Sequence, residues 1–329
     1  MRHVRIASRA SKLALVQSNY TRDLLLDLSP GADISIVKIS TTGDRDKSDF
    51  LYKSESIGFF TSEVENAILS EQADIAVHSL KDLPTAIAQG LIVAAIPKRE
   101  SPADALVTSS PTASIADLPA GATVGTSSLR RIAQLKHQRD DLNCIPLRGN
   151  VETRVNKVLS GQVDAAIVAC AGLNRIGMSD KISAVLEPEN FIPAPAQGAL
   201  AIQIRTDDAE LAELLSKIND DPTRIAVEAE RTVLAAMHGG CSIPLGVYSH
   251  IEGDTITIDA MLSDLEGKRY IKRSRSAHIS DANACATKLA GEMLSAGGQE
   301  ILDRSEQKNK NSSLRFCHNI LAKGTPEHR

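Results

Sequence analysis

The chain opens on an apolar run, Val4 to Ser8, that reads as a buried strand and gives way to a polar loop, Arg9-Ala10-Ser11-Lys12. Leu13, Val16, Tyr20, Leu24 and Leu28 then recur at helical spacing, which predicts a helix from about Ser11 to Leu28. A second strand is expected over Asp33 to Ser40, ending in the polar loop Thr41-Thr42-Gly43-Asp44-Arg45-Asp46. The next helix is expected from Ser62, opened by the capping-box pattern Ser62-x-x-Glu65. Ala73 to His78 and Leu91 to Ile96 read as short buried strands, the first running into Ser79-Leu80-Lys81-Asp82-Leu83-Pro84. Strand and helix alternate, so the expectation is a mainly parallel sheet whose loops gather at the strand C-termini, where ligands usually bind.

A charged, proline-bearing segment, Lys98 to Pro102, reads as a crossing into a second unit that repeats this logic. There, Val124-Gly125 leads through Thr126-Ser127-Ser128-Leu129-Arg130-Arg131 into a helix to about His137. Gln162-Val163-Asp164-Ala165-Ala166-Ile167-Val168 echoes Gln72-Ala73-Asp74-Ile75-Ala76-Val77. The echo implies two similar α/β lobes facing each other across a cleft. Ile192 to Gly198, rich in proline and alanine, reads as the crossing back, with Ala199 to Ile204 a strand returning to the first lobe. Two crossings make a hinge. After Asp220 the pattern changes to a helix over Asp221 to Met237, strands near 244–251, 254–263 and 268–277, and a helix from about Asp281. This predicts a small α+β third domain, and beyond Arg304 a polar, mobile tail. The expected division is therefore 1–98 with 198–218, 99–197, 219–303, and a tail over 304–329.

Composition narrows the classes. No apolar run approaches the ~20 residues of a membrane span, the start carries no signal-peptide core, and the five cysteines lack CxxC spacing. The expectation is a cytoplasmic protein with no membrane association, no disulfide framework and no metal. A net charge of -4 argues against general attraction to nucleic acid, so any affinity for anions must be local.

The candidate chemistry lies on glycine- and serine-rich turns. Arg130-Arg131 sits at a helix start after Thr126-Ser127-Ser128, and Arg148-Gly149-Asn150 repeats the arrangement, with Arg154 one turn in. Backbone N–H groups, hydroxyls and guanidinium groups at such places converge on anions. Arginine at a helix N-terminus opposes the helix dipole, so an outside anion or an acidic partner has to offset it. Asp82 follows a buried strand at the sheet's C-terminal edge, where a carboxylate serves either as a general acid or as an Asx-type turn former. His78, on the same strand, reads as a structural histidine. Cys241 lies in the loop His238-Gly239-Gly240-Cys241-Ser242-Ile243-Pro244, either as a small buried hydrophobe or as a thiol presented to another domain.

Taken together, Ile6-Ala7-Ser8-Arg9-x-Ser11-x-Leu13-Ala14, His78 to Pro84, Gly125-Thr126-Ser127-Ser128-Leu129-Arg130-Arg131, Leu147-Arg148-Gly149-Asn150-Val151-x-Thr153-Arg154, Ala171-Gly172-Leu173-x-Arg175 and Gly239-Gly240-Cys241-x-Ile243-Pro244-Leu245-Gly246 closely resemble the porphobilinogen deaminase family, in order and over residues 1 to about 303. The resemblance implies two periplasmic-binding-protein-like lobes with a hinge plus a small α+β third domain. It also implies condensation of four porphobilinogen molecules, with loss of ammonia, into a linear tetrapyrrole. By position, it makes Cys241 the thioether anchor of a dipyrromethane primer and Asp82 the catalytic residue. Lys81, Asp44, Ser128, Arg130, Arg131, Arg148 and Gly172 are then expected around the primer, and Arg9, Ser11, Gln17, Arg154 and Arg175 around the substrate. The expected oligomeric state is a monomer.

One departure stands out. Where the family carries a glycine- and lysine-bearing loop, this chain reads Ser54-Glu55-Ser56-Ile57-Gly58, with Ile57 at the lysine's position and Lys53 upstream. Two other classes fit parts of the pattern. A non-catalytic two-lobed anion-binding protein fits the lobes but not the cysteine-bearing third domain. A cysteine-nucleophile hydrolase lacks a histidine-plus-acid set beyond His238.

Overall fold

The computed structural model describes residues 3–41, 61–110, 114–237 and 243–305. Asp44, Ile57, Cys241 and the tail beyond 305 lie outside the described residues.

In chain order, the first unit supplies β1 (Val4–Arg9), α1 (Lys12–Leu28), β2 (Ile34–Ile39), α2 (Ser62–Leu69), β3 (Ile75–Ser79) and β4 (Leu91–Ala95). The second supplies β5 (Asp104–Thr108), β6 (Thr123–Gly125), α3 (Leu129–Gln138), β7 (Asn143–Ile145), α4 (Val151–Leu159), β8 (Ala165–Ala169), α5 (Cys170–Arg175) and β9 (Ala184–Leu186). The chain then returns through β10 (Leu200–Arg205) and α6 (Ala209–Ser216). It ends in α7 (Asp221–Ala236), β11 (Leu245–Glu252), β12 (Thr255–Ser263), β13 (Tyr270–His278) and α8 (Ala282–Met293).

Two five-stranded sheets share one topology: β2-β1-β3-β10-β4 and β7-β6-β8-β5-β9. The match is strand for strand, so the echo between residues 72–77 and 162–168 reflects β3 and β8 occupying equivalent central places. The sheets are mixed and not mainly parallel: β10 runs antiparallel to β3 and β4, and β5 antiparallel to β8 and β9. The reason lies in the crossings. Each delivers the chain to the C-terminal end of a central strand, Leu200 opposite Ser79 and Asp104 opposite Ala169, so the arriving strand can only run back along it. Those crossings also bring the hinge to the same sheet edges as the loops after β3 and β8. Strands β5 and β9 and helix α6 were not anticipated from periodicity.

Apolar faces explain the layers. Leu25 of α1 and Leu211 and Leu215 of α6 pack on Val4, Ile6, Ile75, Val77 and Ile202 of the first sheet. Val155 and Val158 of α4 cover Ala105, Val107, Ala166 and Val168 of the second. In the C-terminal unit, an antiparallel sheet β11-β12-β13 packs Val247, Ile256 and Ile258 against Val233 of α7 and Leu289 and Met293 of α8. Ser11 caps α1 through its hydroxyl, which accepts from Ala14 N at 3.3 Å. The capping box expected at Ser62 does not form. Helix α2 takes Thr61 as its N-cap without a side-chain cap bond, and the Glu65 carboxylate turns inward to accept from Gln203 Nε2 at 3.0 Å. A buried amide donor there outcompetes a local cap.

Candidate active site

The turn after β3 carries the first group of candidates. Leu80–Asp82 forms a single 3-10 turn in which Leu80, and Leu83 just after it, are buried while Asp82 is exposed. Alternating burial thus plants the turn and presents the carboxylate. Next to it, Lys81 Nζ donates to Gln197 Oε1 at 3.2 Å. The other end of that amide, Gln197 Nε2, donates to Asp104 Oδ1 at 2.9 Å. Gln197, fully buried in the crossing back, therefore ties the lysine of one lobe to a carboxylate of the other.

Asp104 is the internal acidic partner that the paired arginines require. Arg131 Nη2 donates to its Oδ1 at 2.6 Å, and Arg130 Nη1 stands 2.8 Å from its Oδ2. Arg130 Nη1 aims its hydrogen bond at Ile192 O, 2.8 Å away, so its contact with Asp104 is ionic and not directed. All three residues are buried. Burial alone would raise the Asp104 carboxyl; Arg130 and Arg131 outweigh it and hold the group well below the ordinary carboxylate range.

Positive charge still predominates. Burial, together with the nearby charges of Arg131 and Arg130, pushes Lys81 down to about 8 against the pull of Asp82 and Asp104. Burial, then the charges of Arg131 and Arg148, pushes Arg154 down to about 10, with Asp82 opposing. Lys81, Arg130, Arg131, Arg148 and Arg154 thus share two opposing carboxylates, Asp82 and Asp104. Cations crowded to the point of depressing one another's pKa bind a polyanion readily.

Local backbone explains how these side chains are presented. Gly149 has φ +110, and a Cβ on it would lie 2.6 Å from Thr153 Cγ2, so only glycine permits the turn between Arg148 and the Asn150 cap of α4. Asn150 Oδ1 accepts from Thr153 N at 2.8 Å, and Arg154 Nε donates to Gly149 O at 2.9 Å. Ser128 stands at the N-cap of α3 without a side-chain cap bond. Gly172 in α5 faces Val151, whose Cγ2 would lie 3.3 Å from a Cβ there, so its role toward α4 is close packing.

Other candidates have structural duties. Gln17 is buried and donates to Ser79 Oγ at 2.9 Å, bracing the strand end before Lys81. Arg175 Nη2 donates to Gly198 O at 2.7 Å, at the crossing back. Arg9, at the end of β1, places its charge near the His78 ring. His78 itself is buried and bonded to Gln203 Oε1 at 3.0 Å, as expected of a structural histidine. Across the mouth of the cleft, Lys12 Nζ of α1 meets Glu152 Oε1 of α4 at 2.6 Å. Among the described residues no group of three or more metal-ligating side chains is gathered.

Asp104 and Gln197 were missed by motif reasoning. The only signals were a lone acid within the apolar run Ala103 to Val107 and a polar side chain between two alanine- and glycine-rich turns.

Fold and site together define a two-lobed α/β protein that presents an exposed carboxylate beside a cluster of arginine and lysine side chains, with a separate C-terminal unit. Comparison with known proteins specifies which. The family model described as the porphobilinogen deaminase dipyromethane cofactor binding domain matches residues 4–213, and that of the porphobilinogen deaminase C-terminal domain matches 224–295. The chain belongs to the porphobilinogen deaminase family. It is 44% identical over 94% of its length to the whole of the porphobilinogen deaminase of Maridesulfovibrio salexigens. It is 41% identical over 92% of its length to that of Syntrophobacter fumaroxidans, covering 97% of that protein. Among solved structures, the periplasmic aliphatic sulphonate binding protein of Escherichia coli aligns with 72% of this chain and 71% of its own, at 16% identity and a TM-score of 0.38. The protein is a transferase that makes hydroxymethylbilane from porphobilinogen and uses a dipyrromethane cofactor.

Proposed function

We propose that Asp82 is the catalytic residue of this reaction and that the arginine cluster holds the acidic side chains of primer, growing chain and substrate. The carrying observation is the arrangement itself: an exposed carboxylate flanked by Lys81 and Arg154, within a cation cluster that, among the described residues, Asp82 and Asp104 oppose.

The residues present fit a dipyrromethane, whose rings carry acetate and propionate groups. Arg148 and Arg154, at the N-terminal turn of α4, and Lys81, Arg130 and Arg131, around Asp104, would hold it, with Cys241 as its thioether anchor. When bound, the primer supplies a nucleophilic pyrrole carbon for chain growth. Lys81, at about 8, stays mainly protonated at neutral pH and so keeps its charge for a carboxylate partner. Each charged hydrogen bond in the cluster contributes roughly 1.5–3 kcal/mol.

The Asp82 carboxylate accepts the pyrrole N–H of the incoming substrate. As the substrate's methylene–nitrogen bond breaks and nitrogen leaves as ammonia, positive charge develops on the ring, and the carboxylate stabilises it. Gln17, through Ser79, and Gln197, through Lys81, keep the turn in place. Arg9, Ser11 and Arg175 complete the proposed substrate contacts, and Asp44, Ser128 and Gly172 those of the primer.

The same reading divides the chain at 1–98 with 198–218, 99–197 and 219–303, and takes the protein as a cytoplasmic monomer without nucleic-acid partners. In support, no helix among the described residues is long and apolar enough to cross a membrane, and the net charge is -4. The test is Asp82→Asn, assayed by intact mass and by turnover. The variant is expected to fold and carry a two-pyrrole adduct while turnover falls by about 10²–10⁴. Near-normal turnover would remove Asp82 from the mechanism, and wild-type protein without an adduct on Cys241 would remove the anchor.

A further inference from the structure

One side chain of the C-terminal unit reaches the catalytic turn. Arg231, on α7, donates through Nη1 to Leu83 O at 2.8 Å and Leu80 O at 3.3 Å, and through Nη2 to Pro84 O at 2.6 Å. These are the carbonyls on either side of Asp82. A single turn of 3-10 helix has poor intrinsic stability and leaves its last carbonyls without intrahelical donors, and a guanidinium fork suits a cluster of them.

Apolar packing reinforces the contact. Val227, one turn earlier on α7, is fully buried in one cluster with Leu80 and Leu83. Arg224, one turn earlier again, donates to Ala94 O at 3.1 Å on β4. Arg224, Val227 and Arg231 follow i, i+3, i+7 spacing and so form one stripe along α7. Its middle packs on the turn, its far end grips the sheet edge, and its near end holds the carbonyls around Asp82. Among the described residues Arg231 makes no other side-chain hydrogen bond; burial lowers its pKa, and Glu228 on its own helix opposes that shift.

We infer that Arg231 is a positioning residue for the reaction: it locks the backbone of the Asp82 turn to the helix that leads to Cys241, holding the catalytic carboxylate in a fixed place relative to the C-terminal unit. The inference rests on the proposed role of Asp82. Arg231 touches no side-chain atom of Asp82, so it acts through the backbone. In a reaction repeated several times at one carboxylate, a small displacement of that carboxylate is felt in every cycle.

The experiment uses full-length, primer-bearing enzyme and five variants: Arg231→Met, Arg231→Lys, Arg224→Met, Asp82→Asn and the double variant Asp82→Asn with Arg231→Met. Arg231→Met keeps the stem and removes the donors, and is expected to lower kcat by about 10- to 100-fold with KM changed less than about threefold. Arg231→Lys, which grips one carbonyl at a time, is expected to fall between it and wild type. If Arg231→Met does not fold, the lysine variant carries the test. Arg224→Met loosens the same helix elsewhere and is expected to keep wild-type kcat. Amide hydrogen exchange at Leu83, whose N–H bonds to Leu80 O, is expected to accelerate in Arg231→Met and not in Arg224→Met. In the Asp82→Asn background, Arg231→Met is expected to have little further effect on residual turnover.

Unchanged kcat, or unchanged exchange at Leu83, overturns the proposal. An equal fold-loss with and without Asp82 also overturns it and makes Arg231 a general structural contact, leaving the role of Asp82 intact. Near-normal turnover in Asp82→Asn overturns both.

Discussion

At the scale of single residues, charge neutralisation separates the arginines into two kinds. Arg130 and Arg131 are buried on Asp104, so their positions are set before any ligand arrives. Arg154 has only the Gly149 carbonyl as hydrogen-bond partner among the described residues, and its depressed pKa records burial first and then the charges of Arg131 and Arg148. A run of arginines on turns is legible as an anion site, but not which of them are already neutralised, because Asp104 lies on a different strand.

His78 shows the same limit, with a consequence for pH dependence. Burial, aided by the Arg9 charge and opposed by the Gln203 hydrogen bond, pushes it from 6.5 down to about 4. Its folded pKa lies below its unfolded one, so the unfolded chain binds the extra proton. Stability is undiminished above pH 6.5, falls as pH drops through the window from 6.5 to about 4, and the loss, about 3 kcal/mol, is complete below it. Glu65, bonded to Gln203 on its far side, is the other titratable member of this buried chain. Urea unfolding against pH is expected to show His78→Gln with a shallower decline over that window than wild type; parallel curves would rule the histidine out as the cause.

At the scale of elements, the two sheets were legible as a pair, whereas the directions of β5 and β10 were not. Residue pattern distinguishes buried from exposed strands but is blind to direction, which the crossings impose. Helix α3, carrying Arg130 and Arg131, is also held from outside. The hairpin turn between β12 and β13 sets Gly267 O 2.9 Å from His137 Nδ1, and Tyr270 stacks on His137 with centroids 3.9 Å apart and planes within 2°. At Gly267, φ is +69, and a Cβ would lie 2.4 Å from His137 N. Gly267→Ala is expected to destabilise by more than the ~1–3 kcal/mol of a strained φ, because it also pushes the hairpin off α3. Gly253→Ala is the control, since φ there is +58 and a Cβ meets nothing within 4 Å. Thermal unfolding should separate the two, and near-UV circular dichroism, which reports tyrosine in a chain without tryptophan, should change for Gly267→Ala alone.

At the scale of the whole molecule, the units meet on one buried acid. Glu230 of α7 is fully buried and takes both Nη atoms of Arg99, at 2.7 and 3.0 Å, from the crossing out. It also accepts from Ala196 N, in the crossing back, at 2.5 Å, and from Ser249 N of β11 at 2.9 Å. Both hinge strands and the C-terminal sheet thus depend on a single carboxylate. Glu230→Gln leaves the Arg99 charge buried and turns an amide N–H toward existing donors. A loss of about 3–5 kcal/mol is expected from the urea midpoint, whereas a loss under 1 kcal/mol would mean that the hub is not structural. By contrast, the Lys12–Glu152 pair across the cleft is exposed and contributes about 0–1 kcal/mol, so it guides closure weakly and does not hold the lobes shut.

Hydrophobic periodicity alone was enough for the helix and strand inventory of the C-terminal unit, for helix α1 from about Ser11, and for placing Asp82 just after a buried strand. Family motifs named the same cationic turns. Both signals are local, and local propensity decides local shape. Folding was needed to choose the counter-ion of Arg130 and Arg131, the amide that joins Lys81 to Asp104, and the carbonyls that receive Arg231. Each of those pairings joins residues far apart in the chain, through a lone carboxylate, a lone amide or backbone carbonyls that no motif marks, so geometry alone selects among them.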